Sequence, residues 1–232
     1  MDAKTPRERY RAQVRTEIKQ RAWEQIATAG ASALSLNAIA KQMGMSGPAL
    51  YRYFDGRDEL ITELVRDAYR SLADTFRTAA ESGADLPALA HTLRAWALRD
   101  PQRYFLIYGT PVPGYEAPDD TTAISSEIMA TLLDTAAALP PGGPATPFDA
   151  HLAAHRAWAG DHDAPPETLH RALMFWTRLH GALSLELSGH FTGMGIDPAQ
   201  LYAAEVDAMA GPGHASDAHA SAEGRGDGAG GS

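Results

Sequence analysis

Cysteine is absent from the 232-residue sequence, which excludes disulfides, thiolate metal sites and a thiol redox switch. Apolar runs are also short; none approaches the roughly 18 residues that a membrane-spanning helix needs. The N-terminal stretch is polar and charged, so no secretory signal is expected. There is no glycine-rich phosphate loop and no GxSxG elbow. His151 and His155 stand four residues apart in HLAAH, a spacing that can hold metal on a helix. No zincin glutamate and no identifiable third ligand accompany them. The expectation is therefore a cytoplasmic protein that is not an enzyme, with no catalytic residue, no cofactor, no metal and no membrane contact.

Charge is scarce in one sign and unevenly placed. The net formal charge is -9, yet residues 1–54 hold nine Lys and Arg against four acids, Asp2, Glu8, Glu17 and Glu24. An acidic body is repelled by phosphate, so a basic N-terminal lobe points to oriented contact with nucleic acid. Charge alone leaves open a chance clustering on a solvated helix. Hydrophobic residues make up 44% of the chain, enough for a globular core.

The hydrophobic periodicity is helical throughout. Val14, Ile18, Ala22, Ile26 and Ala29 form a stripe that predicts a helix over 7–29, closed by Gly30. Ser35 is positioned to cap a short helix over 36–43, which Gly44 ends, and Ser46 to cap another that runs to about Phe54. A long helix from Gly56 carries Leu60, Ile61, Leu64, Val65, Ala68, Tyr69, Leu72 and Phe76 on one face. Further helices are expected over 86–99, 101–108, 119–139, 165–190 and 197–210, with a short aromatic piece over 148–159. The run 104–108 has strand composition but no strand to pair with. Pro140 to Pro144 should break the chain, and the Gly-, Ala- and Ser-rich segment 211–232 should be a disordered tail. The fold class is thus all-α.

The segment SLNAIAKQMGMSGPALYRYF, residues 35–54, describes two short helices around a glycine-containing turn, a helix-turn-helix. With Leu50 facing the core, Phe54 falls about 40° away on the wheel. Pro48, Ala49 and Arg52 then face outward, with Tyr51 and Tyr53 on the flanks. Such a face suits a major groove, where Arg52 can donate two hydrogen bonds to a guanine and the tyrosines can reach phosphates. Spacing alone leaves open an ordinary helical hairpin whose exposed side happens to carry arginine.

The same residues resemble the DNA-binding domain of the TetR family: Ala38-Ile39-Ala40, Gly44-Met45-Ser46, Leu50 to Phe54 and Arg57-Asp58-Glu59-Leu60. Ser35 and Gly56 stand where that family more often has Thr and a capping Ser. The resemblance implies a three-helix DNA-binding domain over 1–56, a larger helical bundle over 57–210 for effector binding and dimerisation, and a phosphate contact from Arg57. Ser35, Asn37, Ser46 and Gly47 complete the expected DNA-facing set. It also implies a repressor that grips a palindromic double-stranded operator as a homodimer and lets go when a small molecule binds.

Beyond Leu64 the likeness is one of architecture, although YGTPVPGY (108–115) looks like a subgroup found in high-G+C bacteria. Leu169, Leu173, Trp176, His180, Leu183 and Leu187 make a stripe suited to a bundle or to a partner helix. Trp96, Tyr104, Tyr108, Tyr115, Trp158, Trp176 and His180 are the candidate effector contacts, and the lack of a fixed counter-ion among them suits a mostly apolar or aromatic molecule. Two other classes stay open: a ligand-independent DNA- or partner-binding protein of this fold, and a ligand-binding protein that no longer binds an operator.

Overall fold

The computed structural model describes residues 5–140 and 144–210; the expected tail, and positions 141–143 of the expected break, lie outside them. The described residues form ten α-helices and no strand. None of these helices is long and apolar enough to cross a membrane. The chain divides into two compact units, one holding residues up to Leu72 and Asp100–Ser125, the other Ala73–Arg99 and the chain from Ser126.

In the first unit, α1 (Pro6–Ala29) begins at a reciprocal cap in which Glu8 accepts the Thr5 N–H and the Thr5 hydroxyl accepts the Glu8 N–H. Its inner face is Val14, Ile18, Ala22 and Ile26, as the four-residue spacing predicts. A single tight turn over Ala31–Ala33 leads to α2 (Leu36–Gln42), α3 (Gly47–Leu50) and α4 (Arg57–Glu81). Ile18, Ile39, Leu50, Phe54, Leu60, Ile61 and Leu64 are sealed from solvent at the centre, each side chain contributing about 1.5–3 kcal/mol. Next, α5 (Leu86–Arg99) belongs to the second unit, and α6 (Pro101–Tyr108) returns to the first. That segment is a helix despite its strand-like composition, because Asp100 caps it and Pro101 fits the first turn.

The second unit is built on α5, most of α7 (Asp119–Ala137), α8 (Pro147–Ala154), α9 (Pro166–Leu187) and α10 (Pro198–Ala210). Arg94 on α5 donates to both carboxylate oxygens of Glu186 on α9 at 3.1 and 2.5 Å. Tyr202 on α10 donates to the Ala90 carbonyl at 2.8 Å, fully buried. Two expected boundaries shift. The 148–159 piece is α8 plus a separate turn over Ala157–Ala159. The α9 helix stops at Leu187 rather than near His190, because Gly189 takes φ +75° and the His190 N–H bonds back to the Leu185 carbonyl.

The inner stripe of α9 also differs from the expected one. Leu169, Ala172, Phe175, Leu179 and Leu183 are buried within the unit, whereas Leu173, Trp176, His180 and Leu187 are half-buried. Both faces of this helix are apolar, and its packing with α8 and α10 decides which turns inward.

Candidate nucleic-acid interface

The turn of the hairpin is set by hydrogen bonding at the end of α2. Gly44 adopts φ +65°, its N–H bonds the Lys41 carbonyl, and the Met45 N–H reaches back to Ala40 at 2.9 Å. This left-handed cap satisfies two otherwise orphaned carbonyls and turns the chain sharply, a geometry that a side chain with a Cβ resists. Ser35 and Ser46 then cap α2 and α3, their hydroxyls accepting from the Ala38 and Ala49 N–H groups. Pro48 sits in the first turn of α3, where its missing N–H costs nothing.

The expected helix to Phe54 is shorter than the periodicity suggested. Regular α-helix ends at Leu50; Tyr53 bonds the Leu50 carbonyl at 2.8 Å in a tightened turn, while Phe54 reaches the same oxygen at 3.4 Å. One overworked carbonyl thus closes the segment, and the wheel nevertheless holds. Leu50 and Phe54 are completely buried, and Pro48, Tyr51 and Arg52 are exposed, with Gly47, Ala49 and Tyr53 partly so. The Arg52 guanidinium has no ion pair among the described residues and stands free for a ligand. Asn37 is exposed on α2, and its Oδ1 would lie 3.4 Å from a Cβ added to Gly47 at the start of α3.

Two residues absent from the expected set hold the outward face in place. Arg11 donates to the Arg52 carbonyl at 3.0 Å, and its guanidinium lies 5.7 Å from the centre of the Tyr53 ring. Arg15 donates to the Tyr53 carbonyl, sits 4.1 Å from the Phe54 ring centre, and pairs with Glu59 and Glu63 at 3.6 and 3.4 Å. Cations placed on the last carbonyls of a helical segment are favoured by its dipole. Their four-residue spacing on α1 was visible in the sequence, but which carbonyls they would meet is a property of the tertiary fold. Arg57 is likewise engaged, donating to the Ala31 and Ser32 carbonyls at 3.0 and 3.3 Å.

The candidate effector residues fall in both units. Tyr104, Tyr108 and Tyr115 belong to the first, Trp96, Trp158, Trp176 and His180 to the second. In the first, Tyr108 stacks edge-on to Tyr69 of α4 at 6.1 Å and tilts against the fully buried Tyr104 at 5.4 Å. The Tyr115 hydroxyl shares a 3.1 Å hydrogen bond with Thr62, a buried polar residue on α4 that the sequence reading missed. Burial pushes the Tyr108 phenol well above the usual tyrosine range, and that of Tyr69 upward. In the second unit Trp96 is buried, Trp158 is half-buried, and Trp176 packs against His180 with 4.3 Å between ring centres. His151 and His155 stack on each other at 4.1 Å, and among the described residues no group of three or more His, Asp or Glu is arranged to hold a metal.

Comparison with known proteins agrees with this geometry. Residues 18–64 match the family described as bacterial regulatory proteins, tetR family, and residues 86–209 match the tetracyclin repressor-like C-terminal domain. The chain is 34% identical over 216 residues to the HTH-type transcriptional regulator Rv1816 of Mycobacterium tuberculosis, covering 84% of this chain and 90% of that one. A crystal structure described as that of a regulatory protein, SCO4313, superposes with a TM-score of 0.84 at 72% identity, over 90% of this chain and all of the other. A regulator of the TetR/AcrR family from Thermobifida fusca shares the fold at 18% identity, with a TM-score of 0.55 over 86% of this chain and 98% of its own. Both families and these relatives are regulators rather than enzymes.

Proposed function

Since the chain belongs to the TetR family and is a DNA-binding transcriptional regulator, we propose that it is a cytoplasmic repressor which binds a palindromic operator as a homodimer and is released by a small, mostly apolar or aromatic effector. The observation that carries this reading is the two-sided segment after Ser46. Leu50 and Phe54 anchor its back, Arg11 and Arg15 tie down its carbonyls, and Pro48, Tyr51 and unpaired Arg52 form its front. Ser35, Asn37, Ser46, Gly47, Ala49 and Tyr53 border that front and are proposed to complete the DNA contacts. Arg57 shapes the interface through the 31–32 carbonyls and approaches phosphate from there.

Selection of bound sequences from random duplex DNA, followed by footprinting, tests this reading. The expected product is a two-fold symmetric site with half-sites about one helical turn apart or slightly more. A single unsymmetrical half-site at saturation would count against a dimer on a palindrome. On the selected site, Arg52→Ala should cost about 1–3 kcal/mol and relax preference at one base position. Tyr51→Phe should weaken all sequences evenly, because a phosphate contact carries no base information. An Arg52→Ala protein with unchanged affinity and preference would move the reading face elsewhere.

For dimerisation, the α9 stripe offers Leu183 and Leu187; the burial of Leu183 within its own unit removes it as a seam residue, and Leu187 is half-buried. Leu185, on the same helix and 45% exposed, is the better candidate, with Met194 and Ile196 also exposed just beyond. Leu185→Glu should place an unpaired charge in an apolar contact and give a folded monomer in sedimentation. A dimer of unchanged stability would refute this seam.

Effector release is proposed to act through α4, whose early turns carry both Arg57 and the residues that meet the tyrosine cluster, Thr62 and Tyr69. Differential binding couples the two ligands by typically about 1–3 kcal/mol, and the coupling is reciprocal. An effector found by screening should therefore bind more weakly in the presence of operator, by the same factor. Equal affinities with and without operator would leave a constitutive DNA-binding protein.

A further inference from the structure

A cleft of about 310 Å3 lies within the first unit, bounded by the end of α1, the turn that follows it, α6 and the loop after α6. It is separate from the tyrosine cluster, none of whose members lines it. Its walls are apolar, drawn from Ile26, Phe105, Leu106, Pro111, Val112 and Pro113. The remaining polar side chains are those of Ser32, Gln102 and Thr110, and none of the three makes a hydrogen bond among the described residues. No acidic or basic side chain lines the cleft.

We propose that this cleft is a second ligand site, for a small uncharged molecule with an apolar body and one hydroxyl or carbonyl group, and that filling it changes DNA affinity. The volume falls at the lower end of small-molecule sites, and apolar walls with a few convergent polar groups are their usual lining. A charged ligand would lose hydration against these walls and find no counter-ion, whereas a single hydroxyl or carbonyl can be met by Ser32, Gln102 or Thr110. The coupling follows from what the wall is made of. Ala31 and Ser32 line the cleft, and their carbonyls are the ones that Arg57 holds at 3.0 and 3.3 Å. Ser35, the cap of α2, follows three residues after Ser32. An occupant that displaces this turn therefore disturbs both the start of α4 and the start of the hairpin.

The test titrates hexan-1-ol and hexanoate into the full chain while following the backbone amide resonances of Ser32, Gln102 and Thr110. Hexan-1-ol should give saturable shifts at these amides in the millimolar range, and hexanoate should bind at least tenfold more weakly. Thr110→Trp and Ser32→Trp, each placing an indole at an exposed lining position on a different segment, should each weaken hexan-1-ol binding at least tenfold. Equal binding of the carboxylate, unchanged binding in both Trp variants, or shifts that spare these amides would overturn the site. The effect on DNA rests on the regulatory reading above and is measured apart from it. Saturating hexan-1-ol should change the affinity for the selected DNA at least threefold in the unmodified chain but not in Thr110→Trp. An unchanged affinity would overturn the coupling, while a chain that binds no DNA sequence specifically would sink the regulatory reading and leave the amide titration to judge the cleft.

Discussion

Replacing Phe54 by Ala should destabilise the protein by about 3–5 kcal/mol and abolish operator binding. Phe54 is wholly buried beside Leu50, in a core shared with Ile18 and Ile39. Truncation leaves a ring-sized void and removes the surface on which the Arg15 guanidinium rests, 4.1 Å from the ring centre. That arginine also binds the Tyr53 carbonyl and pairs with Glu59 and Glu63, so its displacement leaves a partly buried carbonyl and the Glu59 carboxylate without their cation, while Glu63 keeps Arg66 at 3.1 Å. The loss is concentrated where the chain has least local support, since only the i→i+3 turn and one long bond to Leu50 close the segment. Phe54→Leu, which keeps most of the volume, should cost under about 1.5 kcal/mol and retain binding. Urea unfolding and operator titration on both variants check this. A Phe54→Ala protein that lost less than about 1 kcal/mol and still bound DNA would show that the front face does not depend on this anchor.

The back of the reading segment was legible in the sequence because burial follows period: Leu50 and Phe54, four apart, are both buried. The caps at Ser35 and Ser46 and the left-handed Gly44 were legible for a similar reason, since short polar side chains and glycine do those jobs locally. Where the regular helix stops was not, because Leu50 carries two turn hydrogen bonds that no pattern encodes. The engagement of Arg57 with Ala31 and Ser32 spans 26 and 25 residues of chain, and that of Arg11 with Arg52 spans 41. Long-range pairings of this kind are invisible to periodicity. In α9 the difficulty was different: neighbouring apolar residues such as Trp176 and Phe175 offered two stripes, and a rotation of about 100° separates them. Leu183 belongs to the inner one, whereas Leu185 on the same helix is exposed.

Lowering the pH from 7 to 5 should remove about 2 kcal/mol of stability through His180 alone. The Nε2 atom of this histidine is shielded from water, and its ring packs on Trp176. Burial penalises the imidazolium and lowers the pKa from 6.5 to about 4. The folded pKa thus lies below the unfolded one, so between these values the unfolded chain binds the extra proton and stability must rise with pH. The contribution is fully present above the unfolded value, falls by up to about 1.4 kcal/mol per pH unit between 6.5 and 4, and is exhausted below the folded value, for a total near 3 kcal/mol. Carboxylates confuse the lower end of this range. Asp149, for instance, is held below the ordinary aspartate value by hydrogen bonds from the Thr146 backbone and side chain, and its contribution disappears as pH falls through that lowered value. The comparison must therefore be with His180→Gln, which keeps polarity and removes this titration; the ring contact with Trp176 that it also removes does not vary with pH in the variant. Urea unfolding of both proteins at pH 7 and 5 should show a pH-dependent loss smaller by about 2 kcal/mol in the variant. Tryptophan fluorescence should report the same proton locally, since the indole of Trp176 lies against the ring that charges. Identical pH dependence in the two proteins would mean that the imidazole titrates alike in the folded and unfolded chains.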